Sequence, residues 1–330
     1  MKRQSAIAMC VLLLLVGTAA ADTSAFQILQ YPGAADTFAA DIHDGLIVGH
    51  YRNASGDIHG FVYDGSSYST LDFPGSSYTA LFGIDGATIV GAYYGPAFRQ
   101  RGFLFDGNRF TTIAPPDTTT TLFNGATANG VDGETIVGSY YNRSGQASGF
   151  VFDGSTYTGF GLSTPGIDAP EDIEDGKIVG VSVGPGPRQG FFFDGQTTLE
   201  LSHPDAGPFG TEATGLSGNR IVGYYYEGSP PVRHSFIYEQ GEYRTYDIPA
   251  SLGDDTEIRG IHGNKIVGFY IGTSGGYRGF IDTIPEPHTL QLLATVCLSS
   301  LVIRRPAICV LGRRCAGRKK VYRAAEKSLK

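Results

Sequence analysis

The sequence predicts an all-β fold, a six-bladed β-propeller with four strands in each blade, and three observations support this prediction. The 330 residues include 47 Gly, 19 Tyr and 20 Phe but no Trp, a composition that favours short strands joined by tight turns. An aromatic marker, usually Gly-Phe, follows each copy of a repeated tripeptide by about thirteen residues. That tripeptide is Ile-Val-Gly, and it begins at Ile47, Ile89, Ile136, Ile178, Ile221 and Ile266.

Each repeat has the pattern of a meander of four strands. In the second repeat the strands are expected at residues 80–84, 88–94, 102–105 and 109–113. Asp-Gly pairs follow the first and third strands, and Asp-Gly is a strong signal for a two-residue hairpin. A meander of about 44 residues has the size of a propeller blade.

The N-terminal strand is expected to close the ring. The sixth repeat has its second and third strands at 265–270 and 279–282, but the composition changes where its fourth strand should stand. Residues 26–33 resemble the fourth strand of the first repeat with its continuation, residues 68–75. A terminal strand that completes the last blade leaves no unpaired edge. The alternative architecture, a β-solenoid, needs no such permutation.

This closure places the first strand of every repeat at the ring axis. Small residues such as Ala39 and Ala40 suit that position, and wide side chains are not expected there. The Gly of each Ile-Val-Gly marks a mid-strand site where backbones approach closely. The aromatic residues of the next strand are expected to cover it as part of the core.

The two ends of the chain differ from this repetitive body, residues 22–283. Lys2 and Arg3 precede an apolar stretch that ends in small residues, which predicts a signal peptide over residues 1–21. Residues 284–305 contain the motif Pro285-Glu286-Pro287, an apolar stretch and Arg304-Arg305. A basic extension, residues 306–330, follows.

The order of these C-terminal features resembles the PEP-CTERM sorting signal of Gram-negative bacteria. The resemblance implies an exosortase-type partner, membrane insertion at the C-terminus and a secreted or cell-envelope location. The extension after Arg305 departs from the pattern, because such signals usually stop at the basic cluster.

The sequence pattern of the repeats resembles that of the HAF-type extracellular repeats of bacterial proteins. It consists of Gly-Phe-Val-Tyr-Asp-Gly from Gly60, Leu-Asp-Phe-Pro-Gly from Leu71, and Ile-Val-Gly. The fourth repeat is degenerate, with Ser182 in place of the usual Tyr. The resemblance implies an exported propeller of unassigned activity.

Charge and cysteine content limit the possible partners of the body. Thirteen Lys and Arg stand against 30 Asp and Glu in residues 22–284, a net charge of −17. A nucleic-acid partner is therefore not expected, because such binding needs a basic surface. All four cysteines lie outside the body, so packing alone must hold it. We expect a monomeric body without cofactor or metal.

The longer loops, after the second and fourth strands, should open on one face, which we call the loop face. Tyrosines near the end of the second strands and arginines in the following loops form a predicted ligand-binding ring. It comprises Tyr51, Arg52, Tyr93, Arg99, Arg101, Tyr140, Arg143, Arg188, Tyr225, Arg233, Tyr270 and Arg278. Arginine binds carboxylates and tyrosine offers a stacking face, so the predicted ligand is an acidic polysaccharide. Alternatively, each Arg pairs with a neighbouring acid and each Tyr packs between blades.

Catalytic and metal signals are weak, and no catalytic residue is predicted. Residues 272–276 match the sequence motif of a nucleophile elbow, but no helix is expected after them. The histidines lack metal spacing and are expected to be satisfied or on the surface. Five acids between Asp168 and Asp175 are expected to form a solvated edge.

We therefore expect a non-catalytic binding or structural module, exported to the cell surface or an exopolysaccharide matrix. The alternative is a carbohydrate-active hydrolase or lyase with its site at the propeller mouth. An enzyme should show unequal blades with acid and base groups on one side of the channel, whereas a binding module can stay nearly symmetric.

Overall fold

A computed structural model describes residues 26–116, 118, 125–162 and 166–284. The predicted signal peptide and the sorting-motif residues Pro285, Glu286, Pro287, Arg304 and Arg305 lie outside this part of the chain. Among the residues described, no helix has the length and apolar character needed to cross a membrane.

The described chain forms six antiparallel sheets of four strands each, which confirms the predicted propeller. Blade 1 consists of β2 (Asp36–His43), β3 (Leu46–Arg52), β4 (Ile58–Tyr63) and β5 (Tyr68–Thr70). Blade 2 consists of β6 (Thr79–Asp85), β7 (Thr88–Gly95), β8 (Arg99–Phe105) and β9 (Phe110–Ile113), with a 3₁₀ turn at Pro96–Phe98. Blade 3 consists of β10 (Ala126–Asp132), β11 (Thr135–Tyr141), β12 (Ala147–Phe152) and β13 (Tyr157–Phe160).

The second half of the ring follows the same order. Blade 4 consists of β14 (Ile167–Glu174), β15 (Lys177–Val183), β16 (Gln189–Phe193) and β17 (Thr198–Leu201). Blade 5 consists of β18 (Thr211–Ser217), β19 (Arg220–Glu227), β20 (Val232–Glu239) and β21 (Glu242–Tyr246). Blade 6 consists of β22 (Gly253–His262), β23 (Lys265–Gly272), β24 (Tyr277–Thr283) and β1 (Gln27–Leu29).

The N-terminal strand closes the ring as predicted. β1 pairs antiparallel with β24, with Leu29 opposite Gly279 and Ile28 opposite Phe280. Leu29 is fully buried in a core shared by blades 6 and 1. Each first strand contacts the first strand of the next blade, and β22 of blade 6 contacts β2 of blade 1. A solenoid would leave this last contact unmade.

One hydrophobic cluster fills each of the six seams between neighbouring blades. The Ile and the Val of each Ile-Val-Gly point to opposite faces of the sheet because side chains alternate along a strand. In blade 1, for example, Ile47 packs toward blade 6 and Val48 packs toward blade 2. The marker Phe of every repeat is at most 1% exposed, which confirms these aromatics as core.

Every first strand carries a β-bulge at the same position, opposite the Gly of Ile-Val-Gly. Bulges bend a strand and increase its twist. The bulge brings the strand's backbone so close that a Cβ on Gly138 would lie 2.1 Å from the carbonyl oxygen of Thr127 and 2.9 Å from the Phe150 ring. The predicted close approach of backbones is therefore confirmed.

The expectation that wide side chains cannot stand at the axis is wrong. The bulged residues alternate around the ring between small and large, because a small residue leaves space for its large neighbours. In blade order they are Ala40, Phe82, Asn129, Glu171, Thr214 and Arg259. Arg259 of blade 6 reaches past Thr214 to Glu171 of blade 4, at 3.2 Å.

The predicted solvated acidic edge is wrong for Asp168, Glu171 and Asp172, although Asp175 is exposed. Asp168 is 4% exposed and accepts hydrogen bonds from the Leu162 amide and the Ser182 hydroxyl. The Asp172 carboxylate accepts the Leu216 amide at 3.0 Å, which ties blade 4 to blade 5. These two carboxylates lie along β14 and serve different neighbouring blades, because the bulge at Glu171 shifts the alternation and puts them on opposite faces of the sheet.

We predict that Gly138→Ala destabilises the propeller by about 2 kcal/mol or more, because the added methyl collides with a backbone carbonyl that cannot rotate away. Urea denaturation followed by circular dichroism measures the loss. Gly159→Ala in β13 is the matched control, since a Cβ there meets no atom within 4 Å. Equal midpoints for the two variants would contradict the close approach.

Candidate binding face

The two faces of the ring differ in what they expose. The first and third strands end in tight turns on one face, whereas the longer connections open on the loop face. Among the described residues, eight large apolar side chains are strongly exposed. Five of them belong to the loop face, namely Phe98, Tyr141, Val183, Phe209 and Val232. Exposed apolar groups gathered on one face are typical of a binding surface.

The predicted tyrosines of the ring are packed between blades. Tyr51, Tyr93, Tyr225 and Tyr270 are at most 9% exposed, and Tyr140 is half-buried. Tyr93 stacks on Phe73 of the preceding blade with ring centroids 3.5 Å apart, and its hydroxyl lies 2.8 Å from the Thr112 hydroxyl. Tyr51 and Tyr225 stack in the same way on their preceding blades. Their ring faces and hydroxyls are thus already engaged.

Most of the predicted arginines have partners within the ring. Arg52 pairs with Asp36, Arg188 pairs with Glu212 at 2.5 Å, and Arg233 pairs with Asp255 at 2.6 Å. Arg278 donates to the Ala35 carbonyl, which joins blade 6 to blade 1. These arginines therefore bond within the protein, which agrees with the alternative to ligand binding given above.

A group of charged side chains, with Tyr224 among them, lies on the inner strands of blades 4 to 6, at the start of β20 and directly before β16, and we call it the mouth cluster. It comprises Glu171, Arg188, Glu212, Tyr224, Arg233, Asp255, Glu257 and Arg259. Arg259 links Glu257 and Glu171, each at 3.2 Å, and Arg233 binds Glu257 as well. Glu212 and Tyr224 are paired across β18 and β19. The positions equivalent to these two residues on blades 2 to 4 hold small or apolar residues such as Ala80, Ser139 and Val181. The blades are therefore unequal at the channel.

Burial changes the proton affinity of the mouth cluster. It raises the pKa of Glu171 to about 7 although Arg259 favours the charged form. It also raises the pKa of Glu257, against the effect of Arg259 and Arg233. The pKa of Tyr224 is raised well above 10 by burial and by Glu257 and Glu212. Near neutral pH, Glu171 can therefore exist in either protonation state.

Three cavities lie between blades on the loop face. Two adjoin one another at the seam of blades 1 and 2, with volumes of about 340 and 350 Å³, and Tyr94 and Phe98 line both. The third, of about 500 Å³, lies between blades 3 and 4, where Tyr141 and Val183 contribute to its wall. Cavities of 300 Å³ or more can hold a small ligand.

Most histidines have a polar partner, as predicted, but His50 does not fit the expectation of a satisfied or surface side chain. His59 pairs with Asp72 at 2.8 Å and His234 pairs with Asp247 at 2.9 Å. The His50 ring stacks on Phe38, and its Nδ1 has no hydrogen-bond partner among the described residues. Within the described ranges, no group of three metal-ligating side chains is close enough to hold an ion. Residues 272–276 run from the last residue of β23 through its connection to β24 and contain no helix, so the nucleophile-elbow motif lacks its catalytic context.

Sequence reasoning missed Tyr78 and Phe98 at the seam of blades 1 and 2, and most of the acids of the mouth cluster. Arg259 and Glu171 could have been suspected, because they occupy the position directly before the Gly or Asp of the first strand, where the other blades have uncharged side chains. Nothing in the local sequence around Phe98 indicates its exposure.

Comparison with known proteins supports the fold. No protein-family model and no curated protein matches the chain. Among solved structures, it is similar to AofleA from Arthrobotrys oligospora, with 14% identity, a TM-score of 0.52, and coverage of 78% of this chain and 86% of that one. It is also similar to Aleuria aurantia lectin in complex with alpha-methyl-L-fucoside, with 13% identity, a TM-score of 0.50, and coverage of 77% and 96%.

A third similar structure is Trypanosoma rangeli sialidase, with 14% identity, a TM-score of 0.48, and coverage of 82% of this chain and 57% of that one. At these identities the likeness concerns the propeller fold and does not transfer a site.

The raised pKa of Glu171 predicts a pH-dependent stability. Between pH 4.5 and about 7 the folded protein holds a proton that the unfolded chain releases, so the free energy of unfolding falls as pH rises. The shift corresponds to about 3 kcal/mol. Glu171→Gln keeps the bond from Arg259 but cannot ionise, so its loss of stability from pH 5 to pH 8 should be smaller than that of the wild type. Burial also raises the pKa of Asp172, so this group makes stability fall with rising pH in the same way, and part of the pH dependence remains in the Glu171→Gln variant.

Urea denaturation at the two pH values measures this difference. Glu134→Gln, at an exposed turn, is the control and should retain the full slope. A Glu171→Gln slope identical to that of the wild type would contradict the assignment.

Proposed function

We propose that the protein is a non-catalytic saccharide-binding propeller whose loop face binds an acidic polysaccharide at the cell surface or in an extracellular matrix. The observation that carries the proposal is the concentration on this one face of five exposed apolar side chains and three cavities between blades. Aromatic and apolar surfaces of this kind suit the flat apolar face of a sugar ring.

Polar groups beside these surfaces can bind sugar hydroxyls and carboxylates. Arg99 and Arg101 lie at the start of β8, and Arg143 lies in the connection from β11 to β12, so all three are close in the chain to residues that line the cavities. Since arginine is the side chain that best matches a carboxylate, the loop face provides local positive charge on a body with a net charge of −17. The similarity of the fold to that of a fucoside-binding lectin is compatible with this role.

Export and sorting belong to the same proposal. The predicted signal peptide and the PEP-CTERM-like tail would deliver the propeller to the cell envelope, with an exosortase-type enzyme as partner. The absence of cysteine from residues 22–284 and the closed ring fit a domain that must stay folded outside the cell without disulfides.

The second candidate is a carbohydrate-active hydrolase or lyase, and the mouth cluster is the observation that favours it. Glu171 and Glu257 lie on either side of Arg259, and both have raised pKa values. A carboxylic acid that is protonated near neutral pH can act as a general acid in glycoside cleavage. This concentration on blades 4 to 6 is the asymmetry expected of an enzyme.

We predict that full-length purified protein binds acidic polysaccharides on a glycan array and releases no reducing sugar from them. Phe98→Glu combined with Phe209→Glu should weaken binding at least tenfold, because both changes place negative charge on the loop face. The matched control is Leu46→Glu with Leu199→Glu, which changes two exposed apolar residues elsewhere on the ring and should alter binding less than twofold.

Equal weakening by both double variants would contradict the loop face as the binding surface. Reducing-sugar release that disappears in Glu257→Gln would replace the proposal with the enzymatic candidate.

A further inference from the structure

The two adjoining cavities at the seam of blades 1 and 2 share a wall. The first is lined by Gly56, Asp57 and Ile58 of blade 1 and by Tyr78 of blade 2. The second extends over residues 73–77 and 93–96. Tyr94 and Phe98 border both cavities, so one aromatic wall stands between two spaces of nearly equal size.

The aromatic wall combines a fixed part and an exposed part. The Tyr78 and Tyr94 rings stack with centroids 4.3 Å apart. The Ser76 hydroxyl fixes the backbone beneath them, since it donates to the Tyr78 carbonyl at 2.6 Å and accepts from the Tyr94 amide at 3.2 Å. Burial and Tyr94 raise the pKa of Tyr78 to about 12, so its hydroxyl keeps the proton that it can donate to a ligand.

Phe98 has a conformation and an exposure that packing does not explain. Its side chain is 59% exposed, and its backbone has a φ of +52°. Bulky residues rarely adopt the left-handed region, which costs about 1 to 2 kcal/mol. A large apolar side chain held outward at such a cost is the kind of strain that accompanies binding sites.

Arg101, three residues after Phe98, lacks the partner that its counterparts in other blades have. In the register of the second and third strands, Arg101 corresponds to His59 of blade 1 and His234 of blade 5, which pair with Asp72 and Asp247. Blade 2 has Ala114 at the position of those acids.

Neither Arg99 nor Arg101 has an ion pair or hydrogen bond through its guanidinium within the described part of the chain. A Cβ on Gly95, which lines the second cavity, would lie 3.4 Å from Nε of Arg101. A half-buried, unpaired guanidinium therefore stands beside this cavity.

We infer that this pair of cavities binds two consecutive pyranose units of an acidic saccharide, one on each side of Phe98. The unit in the second cavity presents its carboxylate to Arg99 and Arg101. The unit in the first cavity presents hydroxyls to Asp57, whose negative charge excludes a carboxylate there. This inference rests on the proposed function and specifies its ligand as a disaccharide repeat with one uronate and one neutral sugar.

Isothermal titration of the full-length protein with defined disaccharides tests the inference. The probes are glucuronate-hexose and galacturonate-hexose disaccharides and their carboxyl-reduced forms. We expect at least one acidic disaccharide to bind about tenfold more tightly than its reduced form. Arg99→Gln with Arg101→Gln should remove this preference, and Phe98→Asn should weaken both forms about tenfold. Asn is chosen because it tolerates the left-handed backbone.

The controls separate this pocket from the rest of the ring. Leu199→Asn removes an exposed apolar side chain from the outer strand of blade 4, and Arg109→Gln removes an exposed arginine from the opposite face. Both should change affinity less than twofold. Thermal unfolding of each variant checks that the ring is intact.

If the protein binds polysaccharides on the array but Phe98→Asn leaves the disaccharide affinities unchanged, the assignment of this pocket is wrong and the proposed function still stands. Absence of binding to the polysaccharides and to every disaccharide would overturn both. Equal affinity of the wild type for acidic and reduced forms would overturn the role of Arg99 and Arg101.

Discussion

The structure depends on the pairing of one short N-terminal strand with the last strand of the body. β1 supplies the outer strand of blade 6, and its Leu29 fills the seam between blades 6 and 1. Each seam has its own hydrophobic cluster, so an unclosed ring would expose both faces of the seam between blades 6 and 1 to water. Closure also holds the loop face together, because its cavities lie between blades rather than within them.

The repeated residues build the scaffold, and the residues that vary between repeats give each blade its chemistry. The Ile, Val and Gly of each tripeptide serve the two seams and the close approach of the first strand. The bulged residue of that strand takes no part in these contacts, and its side chain varies in size from that of Ala40 to that of Arg259. The connection after the second strand varies in the same way, with a polar turn in blade 1 and Pro96–Phe98 in blade 2. A nearly symmetric ring thus carries an asymmetric distribution of charge and aromatic surface.

The fold could be predicted from the sequence because its determinants are local and recur six times. The Asp-Gly turns and the repeated Ile-Val-Gly tripeptide indicate the strands directly, and the likeness of residues 26–33 to residues 68–75 indicates closure. The binding surface could not be predicted as well. Tyr93 has the exposure of a core residue because Phe73 of another blade covers it, and no pattern within one repeat reveals that contact. Arg188 and Glu212 pair across 24 positions, whereas Arg101 lacks such a partner because one acid is replaced by Ala114.

The most direct test of closure is a disulfide between β1 and β24, in the variant Gln27→Cys with Ile281→Cys. These residues are paired in the register and point to the same face, so oxidation should link them with high yield, as shown by mass spectrometry of the digested protein. Ile28→Cys with Ile281→Cys offsets the pair by one residue and points the two thiols to opposite faces, so little crosslink should form. A closed ring predicts efficient crosslinking of the first pair only; equal crosslinking of both pairs, or of neither, would contradict it.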